Sequence, residues 1–231
     1  MELKIKTENI LIGAWLNDSN KNIILACGLP QYISKHHPIV KMAETARVNL
    51  FVPRYIGSWE SSGIFSIANC VETIEKTIAL VKKGKAIELY NNTKTVWNPE
   101  KIYLLGFSFG GISALLNTEK VSKTILLNPF ANLDLQQKFN GENIEETFEF
   151  LQRAFPNVYK FDSKEIINEL KSLNYPDKKE KMIVIRGKED KTIPKEETEW
   201  LVNKYKPEYI EVDGGHSLEL NKKNFEQILN N

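Results

Sequence analysis

Cysteine and histidine are scarce in this sequence, with two cysteines and three histidines among 231 residues. The two cysteines, Cys27 and Cys70, are too few for a disulfide framework or a cysteine-based metal site. Each lies in an apolar pattern, which predicts a buried thiol. Chemistry that needs an imidazole must therefore use His36, His37 or His216, and we expect no metal site.

Long apolar runs and a strong net charge of either sign are also missing. No stretch approaches the ~18 consecutive apolar residues that a membrane span needs, and residues 1–6 lack the apolar core and cleavage site of a signal peptide. The 31 basic and 30 acidic side chains leave a formal net charge of +1, so nothing favours nucleic acid or an anionic membrane. We expect a cytoplasmic protein with neither of these as a partner.

Short apolar segments alternate with amphipathic ones along most of the chain. The pattern predicts an opening hairpin (1–5 and 10–15) and strands at 23–27, 48–52, 102–105, 124–127, 182–185 and 209–212. It predicts helices at 38–47, 64–81, 110–116, 195–205 and 222–229. Such alternation is typical of an α/β protein with a mostly parallel sheet of about eight strands and helices on both faces.

One segment, 129–180, interrupts this alternation. Apolar residues recur at helical spacing from Ile144 to Phe155, and a second helix is predicted to begin at Asp162. We expect residues 1–231 to form one α/β domain, in which 129–180 is a small helical cap insertion. A longer crossover connection between two strands is the alternative.

A serine between glycines follows the predicted strand at 102–105, in the run from Gly106 to Gly111. A strand that turns sharply into a helix crowds the neighbours of the turn residue, and Gly106 and Gly110 remove the side chains that would clash. Gly111 adds further close packing. The hydroxyl of Ser108 would then project from the carboxyl end of a central strand, beside a helix amino terminus that favours negative charge. This placement predicts a nucleophile.

A serine hydroxyl needs a base to act as a nucleophile. His216 follows the last predicted strand in a glycine-rich loop, which can bring its imidazole over the same edge of the sheet. An orienting acid is expected between serine and histidine in the chain, and Asp190 follows the strand at 182–185. Glu189 and Asp213 are the competing candidates for this role.

Together these three segments resemble the α/β-hydrolase superfamily over nearly the whole chain. The sequence GFSFGG is similar to the family's nucleophile elbow, GKEDKTIP to its acid loop and DGGHS to its histidine loop. The order Ser108, Asp190, His216 is the order of the family's catalytic triad. The resemblance implies an α/β-hydrolase fold and acyl chemistry that needs no metal and no organic cofactor.

The first half of the chain resembles the prolyl oligopeptidase and dienelactone-hydrolase-like branch of this superfamily. By that resemblance the oxyanion hole consists of the backbone N–H groups of Leu29 and Phe109. Tyr55, Trp59 and Phe109 are candidates to line an apolar pocket for the acyl or leaving group, and packing in the core is the alternative for each. Cys27 stands where many members have a histidine, and the sequence leaves no room for an amino-terminal propeller. A free-standing esterase-like enzyme is therefore expected rather than a peptidase.

These inferences predict a serine hydrolase that cleaves a small or medium carboxylic ester through Ser108, His216 and Asp190. Its partner is a small-molecule acyl substrate, and no feature of the sequence specifies an oligomeric state. The same triad is compatible with an aminoacyl-amide peptidase, a thioesterase or an acyltransferase. A non-catalytic binding protein on a hydrolase scaffold is the alternative from another class.

Overall fold

Ten strands and six α-helices alternate along the part of the chain that the computed structural model describes, which comprises residues 2–134, 144–177, 181–217, 225 and 229. The strands are β1 (Leu3–Thr7), β2 (Ile10–Trp15), β3 (Lys21–Ala26), β4 (Asn49–Pro53), β5 (Lys85–Ile87), β6 (Lys94–Val96), β7 (Lys101–Phe107), β8 (Lys123–Leu127), β9 (Met182–Gly187) and β10 (Glu208–Val212). The helices are α1 (Pro38–Thr45), α2 (Ile67–Lys83), α3 (Gly110–Leu115), α4 (Ile144–Ala154), α5 (Ser163–Lys171) and α6 (Lys195–Tyr205).

Eight of these strands form one sheet in the order β1-β2-β4-β3-β7-β8-β9-β10. Strands β1, β2 and β4 pair antiparallel, and all pairs from β4 to β10 are parallel. The predicted mostly parallel sheet of about eight strands is therefore confirmed. The carboxyl ends of β3, β7, β8 and β9 lie side by side, because parallel neighbours end at the same edge.

Helices cover both faces of this sheet. Successive strand residues point to opposite faces. Leu105 of β7 lines a cavity together with Ile39 of α1, whereas the next residue, Gly106, lies against Ala114 of α3. Helices α1 and α3 therefore lie on opposite faces. The central strands are almost wholly buried, which explains their continuous apolar character.

Most predicted elements appear within two or three residues of their predicted bounds, and α6 spans the residues predicted for it. The short hairpin of β5 and β6 was not predicted, because each strand has three residues and an exposed–half-buried–exposed pattern without a continuous apolar face. The predicted closing helix at 222–229 falls outside the described residues, apart from Phe225 and Leu229. Among the described residues, no helix has the length and apolarity needed to cross a membrane.

The segment between β8 and β9 contains two amphipathic helices, α4 and α5. Asp162 caps α5, since its carboxylate accepts from the backbone N–H groups of Lys164 and Glu165. Helix α5 is also bonded to the start of α2, where Glu169 Oε2 accepts from the N–H of Ile67 at 2.6 Å. The helices expected in 129–180 are present; α5 bonds to α2, and Phe148 of α4 contacts Phe109.

Candidate functional site

Ser108 occupies a sharp turn between β7 and α3. Its backbone φ is 51°, a left-handed conformation that is unfavourable for residues with a side chain and that is held here by the surrounding structure. Its N–H donates to the Leu127 carbonyl at 3.0 Å, and its carbonyl accepts from Gly111 and Phe130 at 2.9 Å each. The turn is thus fixed by β8 and by the segment that follows β8.

The glycines on either side of Ser108 allow this turn because neighbouring segments of the same chain approach too closely for a side chain. A Cβ at Gly110 would lie 2.0 Å from the carbonyl oxygen of Ala26, and one at Gly106 would lie 2.6 Å from the Cβ of Ala114. A Cβ at Gly111 would lie 2.8 Å from the Pro129 Cβ. The steric role predicted for these glycines is confirmed.

A chain of two hydrogen bonds joins the three side chains that the sequence singled out. Ser108 Oγ lies 3.0 Å from His216 Nε2, and His216 Nδ1 lies 3.0 Å from Asp190 Oδ2. The Asp190 carboxylate is fully buried, whereas the His216 side chain is 21% exposed. The imidazole also contacts the Phe107 ring, with the ring centroids 5.1 Å apart. We call these three residues the triad; its imidazole lies between a buried acid and the hydroxyl of Ser108.

The acid of the triad is held in its ionised form. Burial by itself raises the pKa of Asp190, but hydrogen bonds from His216 and from the backbone N–H groups of Ile193 and Thr192 outweigh burial and lower it below the ordinary value. Those two N–H groups bond to Oδ1 at 3.1 and 2.8 Å, which leaves Oδ2 for the imidazole. An ionised carboxylate at Nδ1 favours the tautomer in which Nε2 accepts from a hydroxyl.

The competing acids lie elsewhere. Asp213 is 90% exposed and pairs with Lys188 at 2.7 Å, and Glu189 is exposed to solvent. The other two histidines also have different surroundings: His37 Nδ1 caps α1 by accepting from the N–H of Ile39 at 3.2 Å, and His36 is exposed. The structure therefore brings together Ser108, His216 and Asp190, as the sequence predicted.

Two further residues that the sequence did not single out fix the triad in place. Asn128, with φ 41° at the end of β8, donates from Nδ2 to the carbonyls of Gly215 and His216 at 3.1 and 2.8 Å and accepts from the N–H of Gly187 at 2.9 Å. Arg186, on β9, donates from Nη2 to the carbonyls of Asp190 and Ile193 at 3.0 Å each. The position of Asn128 directly after a buried strand was the one sequence signal for it.

The two proposed oxyanion donors lie beside Ser108. Phe109 is the next residue and precedes the first turn of α3. Gly28 precedes Leu29, and a Cβ at Gly28 would lie 3.1 Å from the Ser108 Cβ. Neither the N–H of Leu29 nor that of Phe109 donates a hydrogen bond to any of the described residues. Both N–H groups are therefore unpaired within the described part of the chain.

Tyr55 and Trp59, predicted to line the substrate pocket, both line one narrow cleft beside the turn at 27–31. The pocket that was predicted as apolar also contains Arg54, and we call it the arginine cleft. Its lining residues are Cys27, Gly28, Leu29, Gln31, Pro53, Arg54, Tyr55, Ser58, Trp59 and Tyr159. The Tyr55 hydroxyl is already used, since it donates to the Cys27 carbonyl at 2.8 Å.

Phe109 belongs instead to an aromatic cluster behind this cleft. Its ring contacts those of Tyr55, Phe65 and Phe148 at centroid distances of 6.3, 6.0 and 6.3 Å. Phe148 belongs to α4, so this cluster joins the residue after Ser108 to the segment between β8 and β9.

Both cysteines are buried free thiols, as predicted. Within the described ranges, no three His, Cys, Asp or Glu side chains are placed to hold a metal ion.

The backbone is similar to several solved structures over nearly its whole length. These include an α/β serine hydrolase without a lid from Xanthomonas campestris (TM-score 0.60, 15% identity, 99% of this chain and 91% of that chain). They also include the esterase Pf2001 from Pyrococcus furiosus (0.64, 17%, 99% and 91%) and Est1E from Butyrivibrio proteoclasticus with bound ferulic acid (0.66, 17%, 97% and 95%). At such identities the likeness establishes the α/β-hydrolase fold.

The sequence was compared with curated protein sequences and with models of protein families. No curated protein sequence matches the chain. The model of the uncharacterised protein family UPF0227 matches residues 67–230, which is well over half of the chain and includes all three triad residues. This α/β-hydrolase-fold chain therefore belongs to the uncharacterised protein family UPF0227.

Proposed function

We propose that this protein is a serine hydrolase that cleaves a small or medium carboxylic ester through an acyl-enzyme intermediate. The observation that carries the proposal is the pair of 3.0 Å contacts from Ser108 Oγ through His216 to Asp190. Hydrogen-bond contact from nucleophile to base, and from base to a third group that orients it, is the arrangement that activates a serine hydroxyl.

In this proposal His216 Nε2 takes the proton of Ser108 as its oxygen attacks the ester carbonyl carbon. The imidazolium then protonates the departing alkoxide, which leaves as an alcohol. A water molecule attacks the acyl-enzyme with His216 as its base, and the carboxylic acid and the free serine are regenerated. Asp190 stays ionised throughout, in keeping with its lowered pKa, and stabilises the positive imidazole.

The N–H groups of Leu29 and Phe109 stabilise the negative oxygen of the tetrahedral intermediate. Their lack of other hydrogen-bond partners among the described residues supports this role. Loss of one such donor typically costs about 2.7–4 kcal/mol of transition-state stabilisation. Because the donors belong to the backbone, a leucine side chain at position 29 leaves this chemistry available.

The likeness to esterases supports an ester substrate. One of the similar structures is a serine hydrolase without a lid. We propose that 129–180 is a cap insertion, because Phe148 contacts Phe109 and because the backbone of Trp59 bonds to Val158 at 3.1 Å. The resemblance to the prolyl oligopeptidase and dienelactone-hydrolase-like branch stays a prediction.

Labelling with a fluorophosphonate tests the proposed nucleophile. We expect one covalent adduct on the native protein, no adduct on Ser108→Ala, and unchanged labelling of Ser172→Ala, whose hydroxyl is exposed on the end of α5 and bonds to its own helix. Mass spectrometry of the intact protein measures the adduct. Labelling that persists in Ser108→Ala would move the nucleophile to another residue.

A substrate panel tests the reaction class. Acyl esters, thioesters and aminoacyl amides share the acyl-enzyme step, and we expect esters to have the highest kcat/KM. A faster thioester or amide would favour one of the other enzyme classes. Absence of both labelling and turnover would favour a non-catalytic binding protein.

A further inference from the structure

The arginine cleft contains a buried cation whose hydrogen bonds are incomplete. Arg54 is only 2% exposed, and its Nη2 donates to the Ile33 carbonyl at 3.1 Å. Its guanidinium carbon lies 4.1 Å from the centre of the Tyr32 ring. Its Nη1 is buried and has no hydrogen-bond partner among the described residues.

The acid nearest to Arg54 compensates its charge only in part. Glu60 Oε2 lies 3.5 Å from Nε, and its side chain is 43% exposed. The other oxygen of this carboxylate accepts from the hydroxyl of Tyr32 at 3.1 Å. Glu60 therefore lies on the solvent side of the guanidinium and does not reach Nη1. A buried charge with an unused donor is costly unless something completes its hydrogen bonds.

The unused donor belongs to a residue that lines the cleft, close to the proposed reaction centre. Gly28 and Leu29 line the same cleft, and Gly28 packs directly against Ser108. Tyr159, from the segment before α5, also lines the cleft, and its buried hydroxyl has no hydrogen-bond partner among the described residues. The lining of the cleft thus contains a guanidinium and a phenol, and it includes a glycine that contacts the nucleophile.

The size and the charge of the cleft limit what can occupy it. Its cavity volume is about 10 Å³, which is about the space that a single water-sized group needs. Glu60 is the only carboxylate that pairs with Arg54 in the described part of the chain, and it lies outside the cleft lining. A single carboxylate oxygen fits these conditions better than an alkyl chain, since it supplies the missing acceptor and the missing charge together.

We propose that the arginine cleft binds a carboxylate of the substrate through Arg54 and the hydroxyl of Tyr159, so that the preferred substrates are monoesters of short dicarboxylic acids. This inference rests on the proposed function, because it assigns the substrate class of the same site. We expect few bonds between the carboxylate and the scissile carbonyl, since Gly28 both lines the cleft and contacts Ser108. Hydrolysis then converts the monoester and water into the free dicarboxylate, an alcohol and a proton.

Paired esters that differ only in charge test the inference. Monomethyl succinate and methyl levulinate have nearly the same shape, and only the first carries a carboxylate. We expect kcat/KM to be about 10- to 100-fold higher for monomethyl succinate, the range that a hydrogen bond to a charged group provides. Monomethyl malonate and monomethyl glutarate give the chain length, and 4-carboxyphenyl butyrate tests a carboxylate on the leaving group instead.

Two variants separate binding from a structural role of the arginine. Arg54→Met should abolish the preference for monomethyl succinate, and Tyr159→Phe, which keeps the packing of the ring, should reduce it. Arg153→Met is the matched control, because Arg153 is an exposed arginine on α4. A purely structural role of Arg54 would slow both esters equally and leave their ratio unchanged, which would overturn the inference.

A binding measurement makes the result independent of turnover. We expect succinamate to bind to the native protein in calorimetry, and its neutral analogue levulinamide to bind at least tenfold more weakly, with the difference lost in Arg54→Met. Equal binding of the two amides, or a cleft that holds only water, would overturn the inference. Succinamate binding without any fluorophosphonate labelling or turnover would instead contradict the proposed hydrolase function and leave the anion site in place.

Discussion

Two buried arginines lie on opposite sides of Ser108, and their surroundings differ. Arg186 donates to three carbonyl oxygens of the loop that carries Asp190, at 3.0 to 3.4 Å. Arg54 bonds to one carbonyl and has a buried Nη1 without a partner in the described chain. The first arginine completes a structure, whereas the second leaves a donor open.

The same difference separates the triad from the arginine cleft as a whole. Asp190, His216 and Asn128 use their polar atoms on one another and on the backbone. In the cleft, a guanidinium N–H and the hydroxyl of Tyr159 have no hydrogen-bond partner among the residues that the structure describes. A group that carries out a reaction gains from being fixed beforehand, while a group that recognises a ligand must keep its hydrogen bonds free for that ligand.

The largest expected effect comes from replacing the acid of the triad. We expect Asp190→Asn to lower kcat on the order of 10⁴-fold, because the amide no longer fixes the imidazole tautomer that accepts the serine proton. Ester hydrolysis under saturating substrate measures it. Asp213→Asn is the matched control, since Asp213 is exposed and bonds to Lys188. An equal loss of kcat in this variant would contradict the assignment of Asp190 as the acid of the triad.

The next largest effect is expected at Gly110, where the turn that carries Ser108 lies against the end of β3. A Cβ at Gly110 would lie 2.0 Å from the Ala26 carbonyl oxygen, at the end of β3 from which the cleft turn begins. We therefore expect Gly110→Ala to lower the free energy of unfolding by about 3 kcal/mol or more, as measured by urea titration. Gly215→Ala should change it by less than about 0.5 kcal/mol, because its Cβ would lie no closer than 3.7 Å to any atom of the described residues. Similar values for the two variants would contradict the crowding described for this turn.

A pH titration of the stability tests a buried carboxyl group that belongs neither to the triad nor to the lining of the arginine cleft. Glu197 on α6 accepts from the N–H groups of Ala131 and Asn132 at 3.2 and 2.9 Å, and burial raises its pKa from 4.5 to about 8. In the folded protein it holds its proton at a pH where the unfolded chain has lost it. Its contribution to stability is therefore complete below pH 4.5 and is lost as the pH rises toward about 8.

We expect the free energy of unfolding to fall on the order of a few kcal/mol across this range because of Glu197. Glu197→Gln, which keeps an acceptor oxygen, should flatten the profile, whereas Glu199→Gln on the exposed face of α6 should not. Urea titrations at several pH values measure the change. A native profile that rises across the same range, or an unchanged profile in Glu197→Gln, would contradict the assignment.

The smallest expected effect concerns the placement of the histidine loop. Asn128→Ala removes two donors to the carbonyls of Gly215 and His216, so we expect a roughly tenfold lower kcat with little change in KM, equivalent to about 1–2 kcal/mol. Asn128→Gly makes the same deletion and also relieves the φ of 41°. The difference in stability between the two variants then measures the backbone strain, and equal kcat values in both isolate the role of the amide. A KM effect without a kcat effect would argue against a role in positioning His216.

Much of the fold was predictable because the relevant forces act locally. The apolar runs of β3, β7, β8 and β9 predicted buried parallel strands, and the alternation with helices predicted the α/β class. The glycines around Ser108 predicted a crowded turn, and the order of Ser108, Asp190 and His216 predicted which side chains meet. The β2 strand was less predictable: it follows β1 in a hairpin, but its other neighbour is β4 rather than β3, which comes next in the chain.

The sequence by itself determined the strand order along the chain, the turn at Ser108 and the identity of the three triad residues, since each depends on residue type and on spacing within a short segment. Only the tertiary structure decided that Asn128 holds the histidine loop, that Glu197 is buried and raised in pKa, and that Arg54 and Tyr159 line one cleft. These groups are distant in sequence, and their properties come from which neighbours remove water and which hydrogen bonds remain unfilled, information that no single segment contains.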